Sequence, residues 1–219
     1  DSGLKAGLKH GFIYSDCRVD DARLVVMTAM SAREQGAQVL TRTACVRAER
    51  EQGEWRVQLV RGSENLDVHA RAIVNAAGPW VKDVLNGHLG QPSSDAVRLV
   101  RGSHIVVPKR YQGEHAFILQ NDDRRVVFMI PYERDYTLIG TTDIPVEGEP
   151  GDPSASGAEI EYLCRAVNRY LAQPLAPADV VWTYSGVRPL YDDGSSDPSK
   201  VTRDYTLRVD DVGGRAAVL

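Results

Sequence analysis

The chain has 219 residues, 42% of them apolar, and carries a formal net charge of −4. A globular, soluble protein of this length can bury a core as one large domain or as parts of two. The basic residues are scattered rather than clustered, which argues against a nucleic-acid partner or an acidic membrane surface.

The three cysteines, Cys17, Cys45 and Cys164, lie far apart and form no Cys-x-x-Cys spacing. This pattern favours buried thiols in a reducing compartment over a disulfide framework or a zinc site, so we expect no bound metal. No apolar run approaches the roughly 18 residues that span a bilayer, and the first residues lack the apolar core of a signal peptide.

The first part of the chain predicts a helix followed by a small meander. Residues 11–14 have the pattern of a short strand. Asp20 suits the N-cap of a helix that has Leu24 and Met27 on its apolar face and ends at Gly36. Three strands are then predicted at residues 39–47, 55–61 and 66–74, joined by hairpin turns that contain glycine.

Residues 70–80, Ala-Arg-Ala-Ile-Val-Asn-Ala-Ala-Gly-Pro-Trp, predict a strand-to-helix turn. Ile73 and Val74 are continuously apolar, as in a strand that is covered on both faces. The small residues at 76–78 allow close backbone approach, and Pro79 suits the first turn of a helix. A ligand could dock on such a turn, although the spacing alone favours an ordinary turn of an α/β unit.

After a linker-like break at residues 91–94 the pattern becomes that of a separate sheet. One helix is predicted over residues 157–172, because Ser156 and Glu159 have the spacing of a capping box. Residues 191–200, rich in Asp, Ser and Gly, are predicted to form an exposed loop. Strands are predicted at residues 97–107, 116–120, 126–130, 136–141, 180–184 and 202–209.

Several motifs along the chain carry a resemblance to a known family. They are Tyr-Ser-Asp-Cys-x-Val-Asp-Asp-Ala-Arg-Leu at residues 14–24, Val-Asn-Ala-Ala-Gly-Pro-Trp at 74–80, Arg-Gly-Ser-His-Ile-Val-Val-Pro at 101–108, Ile-Gly-Thr-Thr-Asp at 139–143, Thr-Tyr-Ser-Gly-Val-Arg-Pro-Leu at 183–190 and Thr-Arg-Asp-Tyr-Thr-Leu at 202–207. In this order and spacing the chain resembles the aerobic, flavin-dependent glycerol-3-phosphate dehydrogenases of the D-amino-acid-oxidase superfamily. The resemblance covers nearly the whole chain.

The resemblance implies a flavoprotein of the α+β or α/β class that oxidises sn-glycerol 3-phosphate to dihydroxyacetone phosphate, with FAD as cofactor and quinone as electron acceptor. Residues 15–90 would be part of a Rossmann-like FAD-binding domain. Residues 93–183 would form a substrate-binding domain with a mixed β-sheet, and residues 184–219 a return segment toward the FAD domain. The implied location is cytoplasmic; peripheral contact of the full-length protein with the inner membrane and the oligomeric state stay open.

The sequence departs from the family pattern in two places. The family begins with a Gly-x-Gly-x-x-Gly turn whose following helix meets the FAD pyrophosphate, and this sequence contains no Gly-x-Gly. A Gly-Gly-Lys segment, whose lysine faces the substrate phosphate in the family, is also absent. We therefore expect a central fragment of the enzyme that by itself neither retains FAD nor turns over substrate.

Oxidation of a phosphorylated alcohol needs guanidinium groups for the phosphate and a base for the hydroxyl proton. By the resemblance, His104 and Arg188 are catalytic, and Arg203 and Tyr184 bind the substrate. A histidine pKa near 6.5 suits a general base at neutral pH. Without the family, ordinary structural roles fit as well: Arg188 as a surface arginine after a Ser-Gly turn, Arg203 in a weak ion pair with Asp204, and His104 and Tyr184 in packing.

The resemblance also implies the residues that contact the cofactor. The residues that approach the flavin through their backbone are Asn75, Ala76 and Gly78. The residues near the adenine are Cys45 and Val46. The last two, Thr142 and Asp143, follow a predicted strand. Without the family, residues 140–143 have the pattern of a simple strand-ending turn.

Two other classes of function stay open. One is an amine or amino-acid oxidase of the same superfamily, which needs a carboxylate-binding arginine and an apolar pocket. The other is a non-enzymatic sheet domain whose arginines bind a partner protein or a free phosphorylated ligand.

Overall fold

The computed structural model describes residues 2–91, 97–191, 207–211 and 217–218. The strands are β1 Ala44–Glu51, β2 Glu54–Arg61, β3 Glu64–Ala70, β4 Ala72–Ile73, β5 Val97–Pro108, β6 Phe117–Gln120, β7 Val126–Tyr132, β8 Tyr136–Gly140, β9 Ile144–Val146, β10 Trp182–Tyr191 and β11 Ala217–Val218. The α-helices are α1 Asp21–Glu34, α2 Val81–Asp83 and α3 Gly157–Asn168, with short 3-10 helices at Gly78–Trp80 and Pro177–Asp179 and a π-helix at Val84–His88.

The chain folds as two compact units. The meander unit comprises Gly11–Asn75, Asp83–Pro92 and Leu207–Leu219, and the sheet unit comprises Asp1–His10, Ala76–Lys82 and Ser93–Thr206. Each unit has a hydrophobic cluster of its own. Whether the units correspond to a cofactor domain and a substrate domain stays a prediction.

In the meander unit, β1, β2 and β3 pair antiparallel in chain order. The two connecting turns contain Gly53 and Gly62, whose positive φ values of 89° and 61° suit tight hairpins and confirm the predicted turns. Trp55 is only 1% exposed and anchors the cluster, and its indole N–H donates to the Ala217 carbonyl at 3.0 Å. Ala217 belongs to β11, which pairs in parallel with β4.

Two predicted strands of this unit have different bounds. The first begins at Ala44 rather than residue 39, because residues 41–42 form a turn in which Arg42 has a positive φ of 53°. The third was predicted to run to Val74 between two covered faces. It instead ends at Ala70 and is followed by the two-residue β4, and Val74 is 68% exposed.

Helix α1 confirms its predicted caps but not its predicted burial. The Asp20 carboxylate accepts from the Arg23 N–H at 2.9 Å, and Gly36 follows the helix with φ +95°. Leu24 and Met27 are 53% and 56% exposed, and nothing in the described part of the chain buries any residue of α1.

The segment before α1 also differs from the prediction. Residues 11–14 form no strand, because no described strand lies beside them to complete the hydrogen bonds that a strand needs. Cys17, predicted to be a buried thiol, is exposed in this segment, Cys45 is partly exposed and Cys164 is buried.

In the sheet unit, the strands follow the order β10-β5-β8-β7-β6, and β9 also pairs with β5. All pairings among its described strands are antiparallel, so the sheet predicted to be mixed is antiparallel. Short connections between β6, β7 and β8 reverse the chain direction each time, which only antiparallel pairing permits. Helix α3 packs on one face, and the core between them includes Ile105, Met129, Ile139, Leu163 and Val167, all 0% exposed.

Helix α3 confirms the predicted capping box. The Ser156 hydroxyl accepts from the Glu159 N–H at 3.3 Å, and the Glu159 carboxylate accepts from the Ser156 N–H at 3.0 Å. The helix ends at Asn168 rather than residue 172, because the Asn168 side chain binds both the N–H and the carbonyl of Leu175 and holds the returning chain.

The other predicted strands of this unit are present, and the short β9 was not predicted. Strand β10 continues to Tyr191, so the predicted Ser-Gly turn at residues 185–186 is part of its ladder with β5. The predicted loop after Tyr191 and most of the predicted strand 202–209 lie outside the described residues. None of the described helices is long and apolar enough to cross a membrane.

We expect Leu163→Ala to lower the free energy of unfolding by about 2–5 kcal/mol, because Leu163 is fully buried between α3 and the sheet. Urea unfolding of the chain measures the change. Glu161→Ala, at an exposed position of the same helix, is the control and should stay within about 0.5 kcal/mol of the unsubstituted chain. Equal losses for both substitutions would contradict the described packing.

Candidate active site

The two faces of the antiparallel sheet have different roles. Odd-numbered residues of β5, such as Ile105, face α3, so alternation places His104 on the opposite face, as predicted. We call this the open face because α3 does not cover it, although Val100 and Val106 on it are buried. Across the strands His104 pairs with Tyr184 of β10 and with Gly140 of β8. Because directly paired residues share a face, these three residues form one transverse row on the open face.

The imidazole of His104 is held within this row by an aromatic ring and a glycine. Its ring stacks on that of Tyr184 with centroids 4.8 Å apart and an interplanar angle of 7°. A Cβ atom on Gly140 would lie 2.1 Å from Cδ2 of His104, closer than two atoms can approach without bonding. Gly140 therefore leaves the space that the imidazole occupies.

Arg188 reaches the same face from β10. Its Nη2 atom donates to Asp143 Oδ1 at 2.6 Å and to the Thr142 carbonyl at 3.1 Å, and both partners of this ion pair are partly buried. A Cβ atom on Gly102 would lie 2.8 Å from that Nη2. A second glycine thus makes room for a second side chain of the candidate site.

A buried carboxylate supports this arrangement from the α3 side. Glu159 is 4% exposed, and its oxygens accept from the hydroxyls of Ser103 at 2.7 Å and Thr142 at 2.8 Å, as well as from Arg101 Nη2 at 2.8 Å. Burial by itself raises the pKa of Glu159. Hydrogen bonds from the Ser156 backbone and from the hydroxyls of Ser103, Ser156 and Thr142 outweigh burial and lower the pKa to about 2.

Of the residues assigned to the cofactor, Cys45, Val46 and Asn75 belong to the meander unit. A register shift in β1 leaves Val46 outside the ladder with β2, and the Val46 carbonyl lies 2.8 Å from His88 Nδ1. Partial burial raises the pKa of the Cys45 thiol, although a backbone hydrogen bond at Arg47 acts in the opposite direction.

Ala76 and Gly78 belong to the sheet unit, as do Thr142 and Asp143. Ala76 is exposed, and Gly78 has φ +56° with nothing within 4 Å of where a Cβ would lie. This part of the turn therefore offers bare backbone, as a flat ring such as a flavin needs for close approach.

The structure brings together four of the predicted site residues, His104 beside Tyr184 and Arg188 beside Asp143. Arg203 lies outside the described residues. The functional roles of all these residues stay predictions. Among the described residues, no group of histidine, cysteine and acidic side chains is arranged to hold a metal ion.

Three supporting residues were not identified from the sequence. Gly102 lies inside β5 and Gly140 is the last residue of β8, and a glycine in a strand is a signal of close approach that could have pointed to them. Glu159 was assigned only to a capping box, because its second set of partners lies on β5 and after β8, far away in sequence.

The chain belongs to the family of FAD dependent oxidoreductases, whose model matches residues 2–206. It is 52% identical over its whole length to a glycerol-3-phosphate dehydrogenase of Pseudomonas aeruginosa, of which it covers 43%. It is also 53% identical, over 93% of its length, to the D-erythritol 1-phosphate dehydrogenase of Brucella abortus, of which it covers 41%. The chain thus spans less than half the length of these curated relatives.

Two solved structures are also similar to this chain. The glycerol-3-phosphate dehydrogenase of Bacillus halodurans complexed with FAD is 28% identical, with a TM-score of 0.68 over 79% of this chain and 36% of that one. The glycine oxidase of Bacillus cereus is 21% identical, with a TM-score of 0.58 over 76% of this chain and 43% of that one. The second likeness concerns the fold alone.

We expect Gly140→Ala to displace the His104 imidazole from its place on Tyr184, because the added methyl group would overlap the ring. The histidine side-chain signals in NMR spectra, assigned with His104→Gln, measure the displacement. Gly186→Ala is the matched control, since a Cβ there has no neighbour within 4 Å. Unchanged His104 signals in Gly140→Ala would show that the ring does not occupy this place.

The pKa of Glu159 predicts a loss of stability in acid. Because the folded pKa of about 2 lies below the ordinary 4.5, the contribution is complete above about pH 4.5 and is lost as the pH falls toward 2. The shift corresponds to the order of 3 kcal/mol. We expect Glu159→Gln to flatten the free energy of unfolding across this range, whereas Glu161→Gln should retain the slope. An unchanged slope in Glu159→Gln would contradict the described network.

Proposed function

We propose that the protein is an FAD-dependent dehydrogenase of a short polyol phosphate, with sn-glycerol 3-phosphate as the first candidate substrate and dihydroxyacetone phosphate as its product. The observation that carries the proposal is the open face of the sheet, where a guanidinium and an imidazole each occupy the space left by a glycine. A cation for phosphate and a base for a hydroxyl proton are the groups that this reaction requires.

In this proposal Arg188, assigned above as catalytic, acts by holding the phosphate of the substrate. Among the described residues only its Nη2 is engaged, by Asp143 and Thr142, so that an N–H of Nη1 or of Nε can donate to a phosphate oxygen. The Asp143 carboxylate fixes the guanidinium plane before the substrate arrives, which reduces the entropy lost on binding. Arg203 is assigned a second phosphate contact on the basis of the family resemblance.

His104 is proposed to accept the proton of the hydroxyl group that is oxidised. The stack with Tyr184 fixes the plane of the imidazole, and a fixed base within hydrogen-bond reach is what general-base catalysis needs. Tyr184 is proposed to line the substrate site next to His104. FAD, when bound, supplies the acceptor for the two electrons.

The residues proposed to contact FAD are those assigned from the family: Cys45, Val46, Asn75, Ala76, Gly78, Thr142 and Asp143. The bare backbone at Gly78 supports this assignment, because it allows a planar ring to approach without a side chain between them. We propose quinone as the electron acceptor and a cytoplasmic location with peripheral membrane contact, because these belong to the family that the sequence resembles.

A longer polyol phosphate is a second candidate substrate. The chain is as similar to the named erythritol-phosphate enzyme as to the named glycerol-phosphate enzyme, at 53% and 52% identity. Both names describe a phosphate ester of a small polyol, and the proposed substrate class includes both. An amino-acid oxidase has weaker support, since the glycine oxidase shares only the fold.

The product of the complete gene should be yellow and should reduce a redox dye with glycerol 3-phosphate or D-erythritol 1-phosphate, but not with glycine or proline. His104→Ala should lower kcat by about 10²- to 10⁴-fold, the usual range for removal of a general base. Arg188→Ala and Arg203→Ala should chiefly raise KM, because they remove contacts to the phosphate.

Several results would contradict this function. A colourless product of the complete gene would refute the flavoenzyme assignment, and oxidation of amino acids alone would favour the other oxidase class. Wild-type kinetics for all three substitutions would refute the residue roles. The 219-residue chain by itself should be colourless, since it contains no Gly-x-Gly turn for the FAD pyrophosphate.

A further inference from the structure

The two oxygens of the buried Glu159 carboxylate have separate sets of partners. Oε2 accepts from the Ser156 N–H and hydroxyl at 3.0 and 2.8 Å and from Arg101 at 2.8 Å, and the Ser156 bonds secure the start of α3. Oε1 accepts from the hydroxyls of Ser103 and Thr142. A capping box needs only the first set, so the second set requires another explanation.

Thr142 connects the Oε1 atom to the substrate-binding arginine. Its hydroxyl donates to Glu159 at 2.8 Å and accepts from the Ser103 N–H at 2.9 Å, while its carbonyl accepts from Arg188 Nη2 at 3.1 Å. The hydroxyl is bound on the α3 side of the sheet and the carbonyl on the open side. The direction of the carbonyl therefore depends on how firmly the hydroxyl is held.

Thr142 and Asp143 are consecutive, so one short segment supplies both partners of Nη2. Asp143 Oδ1 is 2.6 Å from that atom and the Thr142 carbonyl 3.1 Å. A rotation of the Thr142 peptide would move both acceptors at once and turn the guanidinium away from its place over Gly102. The anchor of this segment thus determines where the arginine points.

We propose that Glu159 is a positioning residue for Arg188, acting through Thr142 from the opposite face of the sheet. The inference rests on the proposed function, because it takes Arg188 as the residue that binds the substrate phosphate. The low pKa of Glu159, about 2, agrees with this role, since the carboxylate stays ionised and accepts hydrogen bonds throughout the neutral range. Glu159 itself does not touch the substrate.

The test compares Thr142→Val with Thr142→Ser in the FAD-loaded product of the complete gene. Thr142→Val removes the hydroxyl, and we expect the KM for glycerol 3-phosphate to rise roughly tenfold, a larger factor than the fall in kcat. Thr142→Ser keeps the hydroxyl and should restore wild-type KM. Flavin absorbance is recorded for each variant, and KM is compared only between FAD-loaded proteins, because Thr142 is also proposed to contact FAD.

A double-mutant cycle tests the path from Glu159. Glu159→Gln should raise the Kd for glycerol 3-phosphate, measured by calorimetry, in the wild-type background but not in the Arg188→Ala background. A general loss of structure would weaken binding by the same factor in both. Asn168→Ala, which removes two hydrogen bonds at the other end of α3, is the control and should lower Tm without changing KM.

The outcomes separate the inference from the function on which it rests. If the wild-type protein does not oxidise polyol phosphates, the proposed function and the inference fall together. If the wild-type protein is active but Thr142→Val and Thr142→Ser have equal KM, or Glu159→Gln acts equally in both backgrounds, the inference alone is overturned. The Thr142 pair decides the matter even if Glu159→Gln does not fold.

Discussion

The buried carboxylate of Glu159 is the interaction on which the arrangement of the sheet unit depends. It joins the first turn of α3 to β5 and to the segment after β8, which are remote in sequence. Burying a charge is costly unless hydrogen bonds replace the lost water. Here hydroxyl, backbone and guanidinium donors supply that replacement, so the carboxylate stabilises the fold while it fixes a loop beside the candidate site.

Two glycines shape the open face of the sheet as much as the side chains that lie on it. The imidazole of His104 lies over Gly140, and the guanidinium of Arg188 lies against Gly102. Both glycines lie in strands, where a side chain would usually add packing energy. The sheet therefore gives up some packing at two positions and gains defined places for two polar side chains.

Much of this fold could be predicted from the sequence, because the signals are local. The caps of α1, the capping box of α3, the hairpin turns and the long β5 all follow from short-range patterns. Burial was harder to predict: Leu24 has the spacing of a core residue yet is 53% exposed. A pattern shows which face is apolar, but not whether the described residues cover it.

In the candidate site, too, some features follow from local sequence patterns, whereas others depend on contacts between remote positions. Alternation in β5 predicted the face on which His104 lies, and the family resemblance brought Arg188 and Asp143 to attention. The ion pair between Arg188 and Asp143 joins positions 45 residues apart, and the bond from Ser103 to Glu159 joins positions 56 apart. No periodicity in the sequence encodes such contacts, so only the folded chain shows them.

The uninterrupted ladder between β5 and β10 has a consequence for selectivity. Its pairing runs without a register shift from Trp182 to Tyr191, so the row of His104 and the row of Gly102 are separated by a fixed strand repeat of about 7 Å. Under the proposed function this repeat fixes the distance between the group that binds the phosphate and the base that accepts the hydroxyl proton. The site would then select for the distance between the phosphate and the oxidised hydroxyl, and it would not select for the length of the polyol beyond that hydroxyl. Polyol phosphates of different length would then be accepted as long as the oxidised hydroxyl lies at the same distance from the phosphate.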